Sequence, residues 1–154
     1  MHGKRPILLG QNDSNEVFTF WRYHKECGIR NPLEVVSDGE EVVRYLENNR
    51  LNYPLPMLLL LDLKMPRMGG LQVLEYLRAT CQRGFSTILL IHAQDHDLNL
   101  VAQAYRLGAD AFLVKPHEKK DFCSLMLQFQ AVEMDCCSGG EAFSVPLTAP
   151  NLRR

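Results

Sequence analysis

The sequence has no long apolar run. The longest, from Leu55 to Leu61, is interrupted by Pro56 and falls far short of the ~18 residues that a membrane span needs. The first twenty positions hold no apolar core followed by small residues, so neither a secretory leader nor a membrane contact is expected. An excess of one charge is missing too. Seventeen Lys and Arg stand against eighteen Asp and Glu, a net charge of −1, which gives no overall field for nucleic acid or anionic lipid. Any anion must therefore be met locally. The five cysteines, Cys27, Cys81, Cys123, Cys136 and Cys137, form neither a disulfide framework nor zinc-ligand spacing. A reducing cytoplasm is the expected setting, with Cys136 and Cys137 as two unpaired thiols on a polar segment rather than a redox pair.

What is present is the make-up of an ordinary globular domain: 154 residues, 46% apolar and 23% charged. That is one domain's worth of chain, long enough to bury a sizeable core. The apolar run Ile7-Leu8-Leu9 is followed by Asp13-Ser14-Asn15-Glu16, an acid three residues before Glu16 in the pattern of a capping box. A helix is predicted there, carrying Val17, Phe20, Trp21 and His24 at helical spacing and ending at Gly28. Leu33 to Val36 reads as a second strand, and Asp38 to Glu41 repeats the capping pattern ahead of Val42, Val43 and Leu46. Met57 to Leu61 is apolar without alternation, which suits a strand covered on both faces. Gly69-Gly70 precedes a stripe of Leu71, Leu74, Leu77 and Cys81, and Thr87 to Ile91 gives another wholly apolar strand. A helix from about Asp95 to Leu107, a strand from Ala111 to Val114 and a stripe of Phe122, Leu125, Met126, Phe129 and Val132 complete the series.

Five strands alternating with five helices predict a doubly wound parallel α/β sheet with right-handed crossovers. The expected organisation is one domain over residues 1–134 and a poorly ordered tail over 135–154, where the chain turns rich in Cys, Ser, Gly and Pro.

In an open α/β sheet, ligands bind beyond the carboxyl ends of the strands. That rule selects Gln11 with Asn12, Asp62, His92 and Lys115. Asp62 is the most telling, a carboxylate directly after a buried strand. An Asp can act as a nucleophile toward phosphorus if cations neutralise the charge that meets there. Lys115 is placed to supply one such charge, and a cis bond at Pro116 would aim it into the cleft. The same two residues also suit a purely structural ion pair.

Asp62-Leu63-Lys64-Met65-Pro66-Arg67-Met68-Gly69-Gly70 resembles the phosphoacceptor segment of bacterial response-regulator receiver domains, the CheY-like superfamily. Leu113-Val114-Lys115-Pro116 is similar to their lysine segment, and Gly108-Ala109-Asp110 stands before it as in that family. The likeness covers about residues 5–134, and Ser37 to Glu41 with Tyr45-Leu46 further resembles the stand-alone receivers that partner cyanobacterial phytochromes. It implies a flavodoxin-like (βα)5 fold with strand order 2-1-3-4-5. It also implies Asp62 as phosphoacceptor, Lys115 and His92 as phosphoryl contacts, and His92 and Phe112 as switch positions. The metal ligands it implies are Asp62, Asn12, Gln11 and the backbone carbonyl of Lys64. Partners implied are a sensor histidine kinase or phosphotransfer protein, and a protein or second copy on the face of the fourth helix, fifth strand and fifth helix.

The departures bear on the metal. The two acids that such receivers carry after the first strand are here Gln11 and Asn12, and the hydroxyl residue after the fourth strand is His92. Asp13 is expected to cap the first helix rather than to replace a metal ligand. Each carboxylate near a unit charge contributes about 4 kcal/mol at ~4 Å and an effective dielectric of ~20, so Mg2+ is expected to bind weakly if it binds. His92 could instead fill the switch pocket as a neutral ring, or join Asp62 and His96 at a transition metal. Two functions follow within one class: a phosphorylated switch, or a pseudo-receiver adaptor that works without phosphate. A phosphohydrolase would want an acid two residues after the nucleophile, where Lys64 stands, and a nucleotide or flavin binder would want a Gly-rich loop at Gly10-Gln11-Asn12-Asp13. No turnover enzyme and no nucleic-acid contact are expected.

Overall fold

The computed structural model describes residues 4–52, 55–82, 84–115 and 117–129. Five strands, β1 (Ile7–Gly10), β2 (Leu33–Val36), β3 (Leu58–Asp62), β4 (Ser86–His92) and β5 (Ala111–Lys115), form one sheet in the order β2-β1-β3-β4-β5. Every adjacent pair is parallel. Between them run α1 (Ser14–Glu26), α2 (Gly39–Asn52), α3 (Gly70–Ala79), α4 (Leu98–Arg106) and α5 (Lys119–Leu127). The alternation of apolar runs predicts this doubly wound sheet, and the strand order is the flavodoxin-like (βα)5 order that the resemblance implies.

Strand residues alternate between faces, and because both faces are covered, the runs are apolar throughout. Ile7, Leu9, Leu58, Leu60, Ile88 and Leu90 pack with Phe20 and Tyr23 of α1 and Phe122 and Met126 of α5. Leu8, Leu59, Leu61, Leu89 and Ile91 pack on the other face with Val42, Leu46, Val73, Leu74, Leu77 and Ala104 of α2, α3 and α4. Each fully enclosed Leu or Ile is worth about 1.5–3 kcal/mol in apolar burial.

The helix ends obey local chemistry. Asp13 has extended backbone angles, and its carboxylate accepts from the amides of Asn15 and Glu16, so it is the α1 cap the sequence suggests. Gly28, at φ 73°, follows the cap residue Cys27 in the left-handed region that glycine enters without a Cβ penalty. Asp38 caps α2 by accepting from the amide of Glu41 at 2.9 Å. The start of α4 departs from expectation: a short 3-10 turn, Ala93–Asp95, intervenes, and Asp97 is the residue that caps the helix.

One expectation fails. Cys27 and Cys123, 96 residues apart in the chain, are joined by a disulfide that ties the end of α1 to α5. Sequence spacing could not show it, because the two thiols meet only once α1 and α5 share a face of the sheet. Val132, Cys136 and Cys137, the tail over 135–154 and the bond at Pro116 lie outside the described residues. Among the described residues, no helix is long and apolar enough to cross a membrane.

Candidate functional site

The parallel register brings the carboxyl ends of β1, β3 and β5 to one edge of the sheet. β3 ends on Asp62, which pairs with Leu90, and at the next boundary His92 lies opposite Lys115. Asp62 and Lys115 are both nearly enclosed, with side chains 8% and 5% exposed, and Lys115 Nζ donates to Asp62 Oδ2 at 3.0 Å. The central pair the sequence suggests is therefore formed, in surroundings dry enough to strengthen it.

Lys115 has a second partner that sequence reasoning missed. Its Nζ also donates to Glu16 Oε1 at 2.7 Å. Glu16 does not close a capping box by reaching back to the Asp13 amide, which donates instead to Gln11 Oε1 at 3.0 Å. Gln11 then donates from Nε2 to Glu16 Oε1, also at 3.0 Å. With Glu16 counted, the cleft carries a formal charge of −1 rather than zero. Spacing alone gives no sign of this, because Glu16 reads as half of a capping box and meets Lys115 only where the start of α1 lies beside the end of β5.

The donor set fits a magnesium ion poorly. Mg2+ favours carboxylate oxygens in octahedral geometry, yet Gln11 is buried with both ends of its amide engaged in the chain's own bonds. Asn12, which is exposed, and the backbone carbonyl of Lys64 would each bring only a neutral oxygen. Asp62 is the one carboxylate among the expected ligands. No group of three His, Cys, Asp or Glu among the described residues could hold a metal. In particular, His96 stacks on Phe112 with ring centroids 5.6 Å apart instead of joining His92 and Asp62.

His92 stands on the rim of the cleft rather than filling a pocket. Its side chain is 45% exposed, with Nε2 3.7 Å from Glu16 Oε2. Phe112 is half-buried between His96 and Tyr105. Beyond Lys115, a cavity of about 320 Å³ opens between α1 and the start of α5, lined by Glu16, Phe20, Tyr23, His92, Lys115 and His117 among others. His117 packs against Phe20 and Tyr23, and burial pushes its imidazole below the ordinary histidine value of 6.5.

A second Asp–cation pair braces the loop after β3. Arg67 sits at φ 66°, and its Nε and Nη2 donate to Asp38 Oδ2 at 3.0 and 2.6 Å. The Gly39 amide donates to the Met68 carbonyl at 2.9 Å. The Glu41 amide bond and the Arg67 guanidinium hold the Asp38 carboxyl below the usual carboxylate range. Leu98 of α4 and Leu127 of α5, helices of the face expected to meet partners, are large exposed apolar side chains.

A five-stranded doubly wound sheet with a buried carboxylate and lysine at its carboxyl edge is an arrangement of the receiver type. The chain belongs to the response regulator receiver domain family, which matches residues 25–126. It is 35% identical over 98 residues to the nitrate/nitrite response regulator protein NarL of Escherichia coli, covering 64% of this chain and 42% of that protein. It is 29% identical over 116 residues to the alkaline phosphatase synthesis transcriptional regulatory protein PhoP of Bacillus subtilis, covering 74% of this chain and 44% of that one. The chain thus spans less than half the length of these relatives. Among solved structures, the bacteriophytochrome response regulator RtBRR is 28% identical with a TM-score of 0.71, covering 96% of this chain and 84% of that chain. The receiver domain of the sensor histidine kinase PA1611 from Pseudomonas aeruginosa, solved with a magnesium ion in its cleft, shares the fold at a TM-score of 0.65 and 19% identity, over 82% of this chain and 97% of that one.

Proposed function

We propose that this receiver takes a phosphoryl group on Asp62 from the phosphohistidine of a sensor kinase or phosphotransfer protein. The observation that carries the reading is the enclosed pair at the strand ends, Asp62 Oδ2 against Lys115 Nζ at 3.0 Å. A carboxylate oxygen attacks phosphorus, the O–P bond forms, and the N–P bond to the donor's histidine breaks, its electron pair returning to the ring. Lys115 meets the negative charge that builds on the phosphoryl oxygens, and His92 reaches the same rim from β4. The likeness to a bacteriophytochrome response regulator, which covers 96% of this chain, supports a signalling role.

A second reading is supported by one specific observation. Glu16 already accepts from both Lys115 and Gln11, an arrangement suited to a phosphate-independent adaptor. Intact-mass spectrometry after acetyl phosphate treatment, with and without magnesium, separates the two readings. The phosphoacceptor reading expects a phosphoryl adduct that disappears in Asp62→Ala and depends weakly on magnesium. A folded protein that takes no adduct in either condition overturns it and leaves the adaptor.

A further inference from the structure

The receiver's phosphoryl chemistry makes no use of the bond between Cys27 and Cys123. The pair lies at the junction of α1 and α5, with Cα atoms 5.9 Å apart, a separation at which a disulfide needs no movement of the backbone. Both residues are half-buried, and Cys27 packs against the core. α5 is short and sinks only Phe122 and Met126 fully among its own side chains. Its other ties to α1 include the ion pair of Lys119 with Glu26 at 3.2 Å, exposed on both sides, and the packing of Phe20 and Tyr23 on Phe122. Just before α5, Tyr23 Oη donates to the His117 carbonyl at 3.1 Å, two residues from Lys115. Apart from the chain itself, the disulfide is therefore the one covalent tie, among the described residues, between α5 and the remainder of the fold.

We propose that Cys27 and Cys123 form a reversible thiol–disulfide site, oxidised by a small disulfide of the glutathione class, that sets how firmly α5 is held to α1. One cysteine thiolate attacks a sulfur of the oxidised tripeptide, whose S–S bond breaks and releases one reduced tripeptide. The second cysteine thiolate then attacks the protein-side sulfur of the mixed disulfide and expels the other. The two protein thiols are oxidised, the small disulfide is reduced, and both protons end on the released thiols. In the reduced state α5 keeps its apolar contacts and its exposed ion pair but loses its crosslink. Its local opening then becomes the easiest excursion of this face of the sheet. The site acts independently of phosphate at Asp62.

The test uses the full chain with Cys81, Cys136 and Cys137 changed to Ser, equilibrated in glutathione buffers from oxidising to reducing and quenched with acid. Non-reducing peptide mapping should find the Cys27–Cys123 crosslinked peptide in oxidising buffer and both free thiols in reducing buffer. Amide hydrogen exchange over 119–127 should quicken at least about tenfold on reduction, while β1 and β3 stay unchanged. Cys27→Ser should show the fast exchange in every buffer; if that variant does not fold, the reduced parent protein supplies the same reading. Three results would overturn the proposal: no crosslink in the oxidised native protein, a crosslink that survives the reducing buffer, or equal exchange of α5 in both states.

Discussion

Asp38 and Asp62 each face a cation, and they do opposite things. Asp38 is enclosed, but its partner Arg67 is 60% exposed, and the carboxylate's other oxygen holds the α2 amide of Glu41. That aspartate is fixed by the backbone first and by the guanidinium second. Asp62 faces Lys115 with both groups buried, and the lysine is shared with Glu16. An exposed cation can exchange its carboxylate for water at little cost, whereas a buried one cannot. The Asp38 pair is a latch between two loops. The Asp62 pair holds two negative groups and one positive in a dry edge, where any added charge must be answered.

Removing the buried cation tests that contrast most severely. Lys115→Met leaves Asp62 and Glu16 without the charge between them, and the expected loss is about 3–5 kcal/mol in urea unfolding. A loss below ~1 kcal/mol would place the pair among solvated surface bridges and erase the distinction from the latch.

The latch is more sensitive to its backbone than to its charge. A Cβ on Gly39 would lie 2.2 Å from the Met68 carbonyl oxygen, so Gly39→Ala must push apart the α2 start and the loop after β3. The expected cost is about 2–3 kcal/mol by thermal or urea unfolding. If the variant matches the parent, the two loops are not in firm contact, and Arg67 alone would have to brace the loop.

The fold was legible because both-face burial writes itself as unbroken runs such as Leu58 to Leu61, and β2 falls on its predicted residues. Asp62 and Lys115 were legible for the same reason, as charged residues that end such runs. What the sequence hid depends on which faces meet. Glu16 reads as half of a capping box from spacing alone, and only the crossing of α1 over the β5 end hands it to Lys115. Cys27 and Cys123 are separated by nearly the whole domain, and nothing local marks them as neighbours. The start of α4 was misplaced because Asp95 and Asp97 are equally good caps in sequence, and the intervening turn decides between them.

The smallest effect expected comes from the histidine behind the cleft. His117 is held against Phe20 and Tyr23, and burial lowers its imidazole below the ordinary 6.5. The folded state therefore favours the neutral ring, while the unfolded chain takes up a proton near that ordinary value. Stability from this group is complete above pH 6.5 and is lost as the pH falls from there toward the folded-state value, because protonation favours unfolding. Replacing the imidazole by an apolar ring, His117→Phe, removes the titration. The unfolding free energy of the variant should then run flatter with pH through this window than that of the parent, with a constant offset between the two curves above it. Parallel curves would mean that the imidazole titrates as freely when folded as when unfolded. The wall of the cavity beside Lys115 would then be wet, and the dryness that separates the Asp62 pair from the Asp38 latch would stop short of His117.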